Sequence, residues 1–106
     1  MSITISKQKE DGGLRIKISG RFDFSEHKAF RDAYSQVDPS VTRFTLDLSE
    51  TSYMDSAALG MLLVLRERAG GHRADITLTG FNESIKQILE ISRFEQIFKF
   101  AGNRAA

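Results

Sequence analysis

Two stretches near the start of the chain alternate apolar and polar residues with the period of two that is typical of a strand with one solvated face. They cover residues 3–7 and 14–19, and the Gly12-Gly13 pair separates them. Because a glycine turn between two alternating runs favours a hairpin, we expect antiparallel pairing, with Gly20 closing the second strand.

A helical period follows the hairpin. Ser25 is a residue type that caps helices well, and the apolar residues after it recur at helical spacing. These residues are Ala29, Phe30, Ala33, Tyr34 and Val37. After the proline-containing turn at 38–40, alternation returns over 44–48. This pattern predicts a third strand, followed by a polar loop that leads to Asp55 and Ser56.

The second half of the chain continues the alternation of helices and strands. An unbroken helical stretch over 57–69 ends before Gly70-Gly71, and alternating residues over 75–79 predict a fourth strand that ends at Gly80. Asn82 is placed to cap a third helix. The apolar residues of that helix that we expect to face inward are Ile85, Ile88 and Leu89.

Residues 97–100 are compatible with a short final strand or with a single turn packed on the sheet edge. The predicted order is strand-strand-helix-strand-helix-strand-helix-strand. Because helices connect the later strands, we expect an α/β fold with a mixed sheet that the helices cover mainly on one face.

The predicted helix over 57–69 is apolar on two sides. Its core side is expected to hold Ala58, Leu59, Leu62, Leu63, Leu65 and Ala69. The opposite side carries four uncharged residues where a solvated helix normally has Lys, Glu or Gln. We call this set the docking patch: Ala57, Gly60, Met61 and Val64. It is either a surface for a partner or a surface that neighbouring loops or the last helix cover.

Length and composition are those of an ordinary globular domain. With 106 residues, of which 41% are hydrophobic and 27% charged, we expect a single domain over 1–106 with a loose tail over 101–106. A net charge of +1 gives no global field for nucleic acid or an anionic membrane, and no apolar run has membrane length. The start of the chain lacks the pattern of a secretion signal, so we expect a cytoplasmic location.

Ser56 is the most informative candidate residue. It directly follows Asp55 at the predicted start of the second helix, where its hydroxyl would meet backbone N–H groups that lack helical partners. Serine is also a preferred N-cap residue, so a purely structural role is compatible with the local chemistry.

Several segments resemble the signature of the STAS domains, and specifically the stand-alone anti-sigma factor antagonists of bacteria. They are DLS at 47–49, MDSAALG at 54–60 and the leucine pair at 62–63, supported by GRFDF at 20–24, LTGF at 78–81 and the pair at 97–98. Where that family often has Ser-Gly after Asp-Ser, this chain has Ala57-Ala58. The change stiffens the helix start and keeps the hydroxyl.

The resemblance implies a binding protein that regulates signalling or transcription by partner switching, and not an enzyme. In that family the serine after the aspartate, here Ser56, is phosphorylated by a partner that is both a serine kinase and an anti-sigma factor. A metal-dependent serine phosphatase reverses the modification. The resemblance also implies that Asp23 and Asp55 lie near the phosphorylated hydroxyl and that the docking patch meets the partner. We expect a monomer without a cofactor.

Two alternative functions stay open from the sequence. A nucleotide would suit a helix N-terminus, although a Gly-rich phosphate loop is absent. A serine hydrolase would need a base near Ser56 and a Gly-x-Ser-x-Gly elbow, which is also absent, and His27 and His72 have no evident partners. The candidate acids, among them Asp23 and Asp55, lack the spacing of a calcium loop, so we expect no metal. Scattered basic residues indicate no nucleic-acid partner.

Overall fold

The computed structural model describes residues 13–35 and 37–101, and the backbone of residues 2–6. Within these residues the strands form a single five-stranded sheet. The strands are β1 (Ser2–Ser6), β2 (Leu14–Phe22), β3 (Arg43–Met54), β4 (Asp75–Thr79) and β5 (Lys99–Ala101), and the helices are α1 (His27–Ser35), α2 (Ser56–Arg68) and α3 (Glu83–Ile91). The order of elements is the predicted one.

The sheet is mixed, as predicted. Its strand order is β1-β2-β3-β4-β5, with β1 antiparallel to β2 and the other neighbours parallel. Each helix connects two adjacent parallel strands, and the right-handed preference of such connections places all three helices on one face. Burial agrees, since Ile16, Leu46 and Leu78 are fully buried while Lys17 and Asp47, on the other face, are partly exposed.

Strand β3 is longer than the sequence predicts. Residues 49–54, which we expected to form a polar loop, continue the strand and pair with β2 as far as the partners Phe22 and Met54. Thr51 is 3% exposed within this extension. Its hydroxyl donates a hydrogen bond to the carbonyl oxygen of Ile18 at 2.7 Å, which offsets the cost of burying a polar group. Only Asp55 separates β3 from α2.

The start of α1 also differs from the prediction. Asp23, and not Ser25, is the N-cap, and it caps a short 3-10 helix (Phe24–Glu26) that precedes α1. Ala29 is exposed although its spacing predicted a core position, so the buried arc of α1 is narrower than expected. The core residues of α1 are Phe30, Ala33 and Tyr34.

The elements near the end of the chain agree more closely with the prediction. The Asn82 side chain accepts a hydrogen bond from the backbone N–H of Ile85 at 2.8 Å, as expected for the cap of α3. The last segment contains a 3-10 helix (Phe94–Gln96) followed by strand β5. Ala101 therefore belongs to the sheet and not to a loose tail, and residues 102–106 lie outside the described part. None of the described helices is long and apolar enough to cross a membrane.

Candidate functional site

Ser56 lies at the edge of the sheet where β2 and β3 end. Phe22 and Met54 are paired as the last residues of these strands, so Asp23 and Asp55 leave the sheet side by side. Ser56 follows as the first residue of α2. The topology therefore brings the two predicted acidic residues to the end of the sheet that carries the candidate serine.

Asp55, and not Ser56, caps helix α2. Its Oδ1 accepts a hydrogen bond from the backbone N–H of Ala58 at 2.9 Å. Ser56 is exposed, and its hydroxyl forms no hydrogen bond with any residue that the structure describes. The interpretation of Ser56 as an N-cap is therefore wrong, because Asp55 is the N-cap and its side chain satisfies one of the free N–H groups of the first turn. The hydroxyl is open to a modifying enzyme.

Asp23 is held in place by its own neighbours. It accepts hydrogen bonds from the hydroxyl and the backbone N–H of Ser25, and Arg21 Nε lies 3.4 Å from its Oδ2. The hydrogen bond from the Ser25 hydroxyl lowers the pKa of Asp23 below its ordinary value of 3.8. The guanidinium of Arg21 also lies 4.0 Å from the ring centroid of Tyr53, its pairing partner on β3. Asp23 is thus ionised and fixed at neutral pH.

The docking patch lines a groove between α1 and α2. The cavity has a volume of about 340 Å³. The opposite wall consists of Phe24, His27, Phe30, Arg31 and Tyr34. The groove is mostly apolar, and Phe24 and Val64 stand at its rim with 69% and 57% of their surface exposed. Helix α1 therefore covers the patch in part, whereas we had considered loops or the last helix.

Two predicted orientations on α2 are wrong. Met61 was assigned to the outward face but is only 6% exposed, and Leu63 was assigned to the core but is 40% exposed. Both errors have one cause. Helix α1 packs against the side of α2 that carries Met61, so the buried side of α2 includes Met61 and leaves Leu63 out. Met61 contributes to the floor of the groove, while Ala57, Gly60 and Val64 stay partly or fully exposed.

The residues of α1 and of the preceding 3-10 helix that complete this groove were not predicted as part of a site. Phe24 and His27 stack with ring centroids 5.7 Å apart, and Phe30 and Tyr34 contact each other edge to face at 5.5 Å. Burial raises the pKa of Tyr34, which keeps its hydroxyl neutral. The spacing of the α1 residues was visible in the sequence, but only the packing of two helices makes one surface of them.

The two histidines and the remaining candidate aspartate lie apart from Ser56 or are engaged with other residues. His72 lies in the 3-10 helix after α2 (Gly71–Arg73), at the opposite end of the helix from Ser56, and His27 is engaged with Phe24. Asp47 pairs with Arg15 at 3.2 Å on the open face of the sheet. In the part of the chain that the structure describes, no three His, Asp or Glu side chains are grouped so that they could hold a metal ion.

Comparisons with known proteins agree with this arrangement. A family model described as "Mlab, STAS domain" matches residues 5–99. A STAS-domain containing protein of Pseudomonas aeruginosa is 46% identical over 95% of this chain and 100% of its own length. A protein of Bordetella bronchiseptica named "Putative anti-sigma factor antagonist BtrV" is 31% identical over 96% of this chain and 89% of its own length. The solved structure of the Bacillus cell fate determinant SpoIIAA in its phosphorylated form superimposes with a TM-score of 0.71 at 16% identity, covering 94% of this chain and 91% of that one.

Proposed function

Because the chain belongs to the STAS domain family, we propose that it is an anti-sigma factor antagonist controlled by phosphorylation of Ser56. In this proposal the unmodified chain binds and sequesters an anti-sigma factor that is also a serine kinase. Phosphorylation by this kinase releases the complex, and a metal-dependent serine phosphatase restores binding. The switch operates in the cytoplasm, and the domain itself catalyses no reaction.

The observation that carries the proposal is the free hydroxyl of Ser56 beside an apolar groove. Asp55 performs the capping, so Ser56 is not needed to start α2. Ala57, the next residue, lines the groove. A relative named as an anti-sigma factor antagonist and a structural neighbour solved in a phosphorylated form support the assignment.

Phosphorylation would change the surface and leave the fold intact. A phosphoserine adds about 1.5 to 2 negative charges and three acceptor oxygens next to the groove. A protein that docks there would have to desolvate this charge, at a cost well above the contribution of a neutral hydroxyl. The N-terminus of α2 favours an anion by only about 0.3 to 1 kcal/mol, and the Asp55 carboxylate opposes part of that gain.

The proposal is tested by affinity capture from the cells that encode the chain. Wild type, Ser56→Ala and Ser56→Asp serve as baits, and both bait and captured proteins are analysed by mass spectrometry. We expect wild type and Ser56→Ala to recover a serine kinase and Ser56→Asp to lose it. Ser84→Asp is the matched control, since Ser84 is an exposed serine in the first turn of α3, outside the groove.

Two results would overturn the assignment. One is equal recovery of the kinase by Ser56→Ala and Ser56→Asp, which would mean that charge at this position does not control binding. The other is an intact mass of the endogenous chain that never includes a phosphoryl group on Ser56 under any growth condition.

A further inference from the structure

The groove between α1 and α2 is lined by residues at the spacing against which a third helix packs. Helix α1 lines it with residues at i, i+3, i+4 and i+7, namely His27, Phe30, Arg31 and Tyr34. Helix α2 lines it with the same spacing, through the docking patch. Seven residues of helix span about 10 Å, so each wall presents two turns. Residues at this spacing form the ridges and grooves through which helices pack against each other.

The two walls run in the same direction. Helix α1 connects β2 to β3 and α2 connects β3 to β4, and all these strands are parallel. Both helix N-termini therefore lie at the edge of the sheet that carries Ser56. The groove begins beside this serine and extends away from it toward Tyr34 and Val64.

The packing of the described residues does not explain why residue 60 is glycine. It lies in the interior of α2, where glycine is less favourable than alanine. Beyond its chain neighbours and the backbone of its own helix turns, a Cβ atom at this position would meet no atom within 4 Å. The backbone has no positive φ there either. Because residue 60 has no side chain, the backbone of a second helix can approach α2 closely here. The distance between two packed helices depends on the side chains at the contact.

The charge of the groove favours an acidic occupant. Arg31 is exposed, and it is the only Arg, Lys, Asp or Glu among the described residues that line the groove. No carboxylate in the described part of the chain forms an ion pair with it, while its neighbour Lys28 pairs with Asp32 at 3.0 Å. An occupant that covers the apolar floor must therefore leave Arg31 solvated or supply a carboxylate.

We propose that the groove receives an amphipathic helix of the partner protein. Its apolar residues at i, i+3, i+4 and i+7 pack on Phe24, Ala57 and Val64, its backbone passes close to Gly60, and an Asp or Glu side chain meets Arg31. This inference rests on the proposed function, since it states how the unmodified chain holds the partner that phosphorylation releases.

Photo-crosslinking in the native cells tests the occupant directly. Phe24, an exposed aromatic residue at the rim, is replaced by p-benzoylphenylalanine, and Ile91, exposed on α3 and outside the groove, is replaced in the same way as a control. The crosslinked peptide is identified by mass spectrometry. We expect a crosslink from position 24, and none from position 91, to a segment with helical apolar spacing and at least one Asp or Glu.

Three results would overturn the inference: no protein crosslink from position 24, a crosslink to an extended or basic segment, or a bound small molecule such as a fatty acid in place of a peptide. The Ser56→Asp variant separates this inference from the proposed function. If the crosslink from position 24 persists with Ser56→Asp, the groove is a helix site but Ser56 is not its switch. If affinity capture depends on Ser56 while position 24 crosslinks to no helix, the switch stands and the groove assignment fails.

Binding of the crosslinked protein to purified variants measures the contributions of the residues. Val64→Asp is expected to weaken binding at least about tenfold, whereas Leu63→Asp, its exposed neighbour outside the groove, leaves it within about twofold. Arg31→Glu should weaken binding more than Arg73→Glu, which changes the same charge outside the groove.

Gly60→Ala is the most direct test, because it should raise the melting temperature of the free domain and still weaken binding. A Gly60→Ala variant that is more stable and binds normally contradicts the close approach.

Discussion

At the scale of single residues, Asp55 and Ser56 have different roles: Asp55 caps α2, and the hydroxyl of Ser56 stays available. Asp55 satisfies the N–H of Ala58 and so fixes the start of α2, while the Ser56 hydroxyl forms no hydrogen bond with any described residue. The sequence pattern placed both residues correctly at the helix start, but the capping role that it offered to Ser56 belongs to Asp55. Ser and Asp have nearly equal capping preference, so only the observed backbone position separates them.

This division predicts unequal effects on stability. Asp55→Ala should reduce the free energy of unfolding by about 1 kcal/mol, within a range of 0.5 to 2, because it removes the cap. Ser56→Ala should change it by less than about 0.5 kcal/mol. Urea denaturation of the two variants provides the measurement, and Asn82→Ala, which removes the cap of α3, is the reference for a lost cap. A larger loss for Ser56→Ala than for Asp55→Ala would contradict the assignment.

At the scale of elements, the order of helices and strands along the chain and the cap of α3 were predictable because each depends on local patterns. The extension of β3 was not, because Thr51 is polar and becomes a core residue only through its bond to Ile18 on another strand. The groove was not predictable either. A helical wheel of α2 shows two apolar sides, but the position of α1 decides that Met61 is covered and Leu63 is not.

The extension of β3 should depend on the Thr51 hydroxyl. Thr51→Val keeps the shape and removes the donor to the Ile18 carbonyl, so we expect a loss of about 1 to 3 kcal/mol in the free energy of unfolding. Thr77→Val on β4 is the control, because Thr77 is partly exposed on the open face of the sheet. Its effect should stay within about 0.5 kcal/mol. Equal effects would mean that the buried hydrogen bond does not hold β3 to β2.

At the scale of the whole molecule, carboxylates that are hydrogen-bonded or ion-paired make the free energy of unfolding depend on pH. The Ser25 hydroxyl lowers the pKa of Asp23, and Lys99 lowers that of Asp75, both from an ordinary value of 3.8. Because these pKa values are lower in the folded state, the stabilisation is complete above 3.8 and is lost as the pH falls through the folded-state values.

We therefore expect the urea midpoint to be steady from pH 7 to about 5 and to fall at lower pH. Carbon NMR of the carboxyl groups should show Asp23 titrating below 3.8, and Ser25→Ala should raise its pKa toward that value. Thr45→Ala, on the open face away from this carboxylate, is the control. A midpoint that does not change between pH 7 and 3 would contradict the role of these carboxylates.

The single residue between β3 and α2 has a consequence for the proposed switch. Asp55 alone joins the two elements and also caps α2, so the sheet and the helix together hold the backbone of Ser56 in place. In the proposed function, a phosphoryl group on Ser56 would therefore alter the charge at a defined position beside the groove without a rearrangement of the domain.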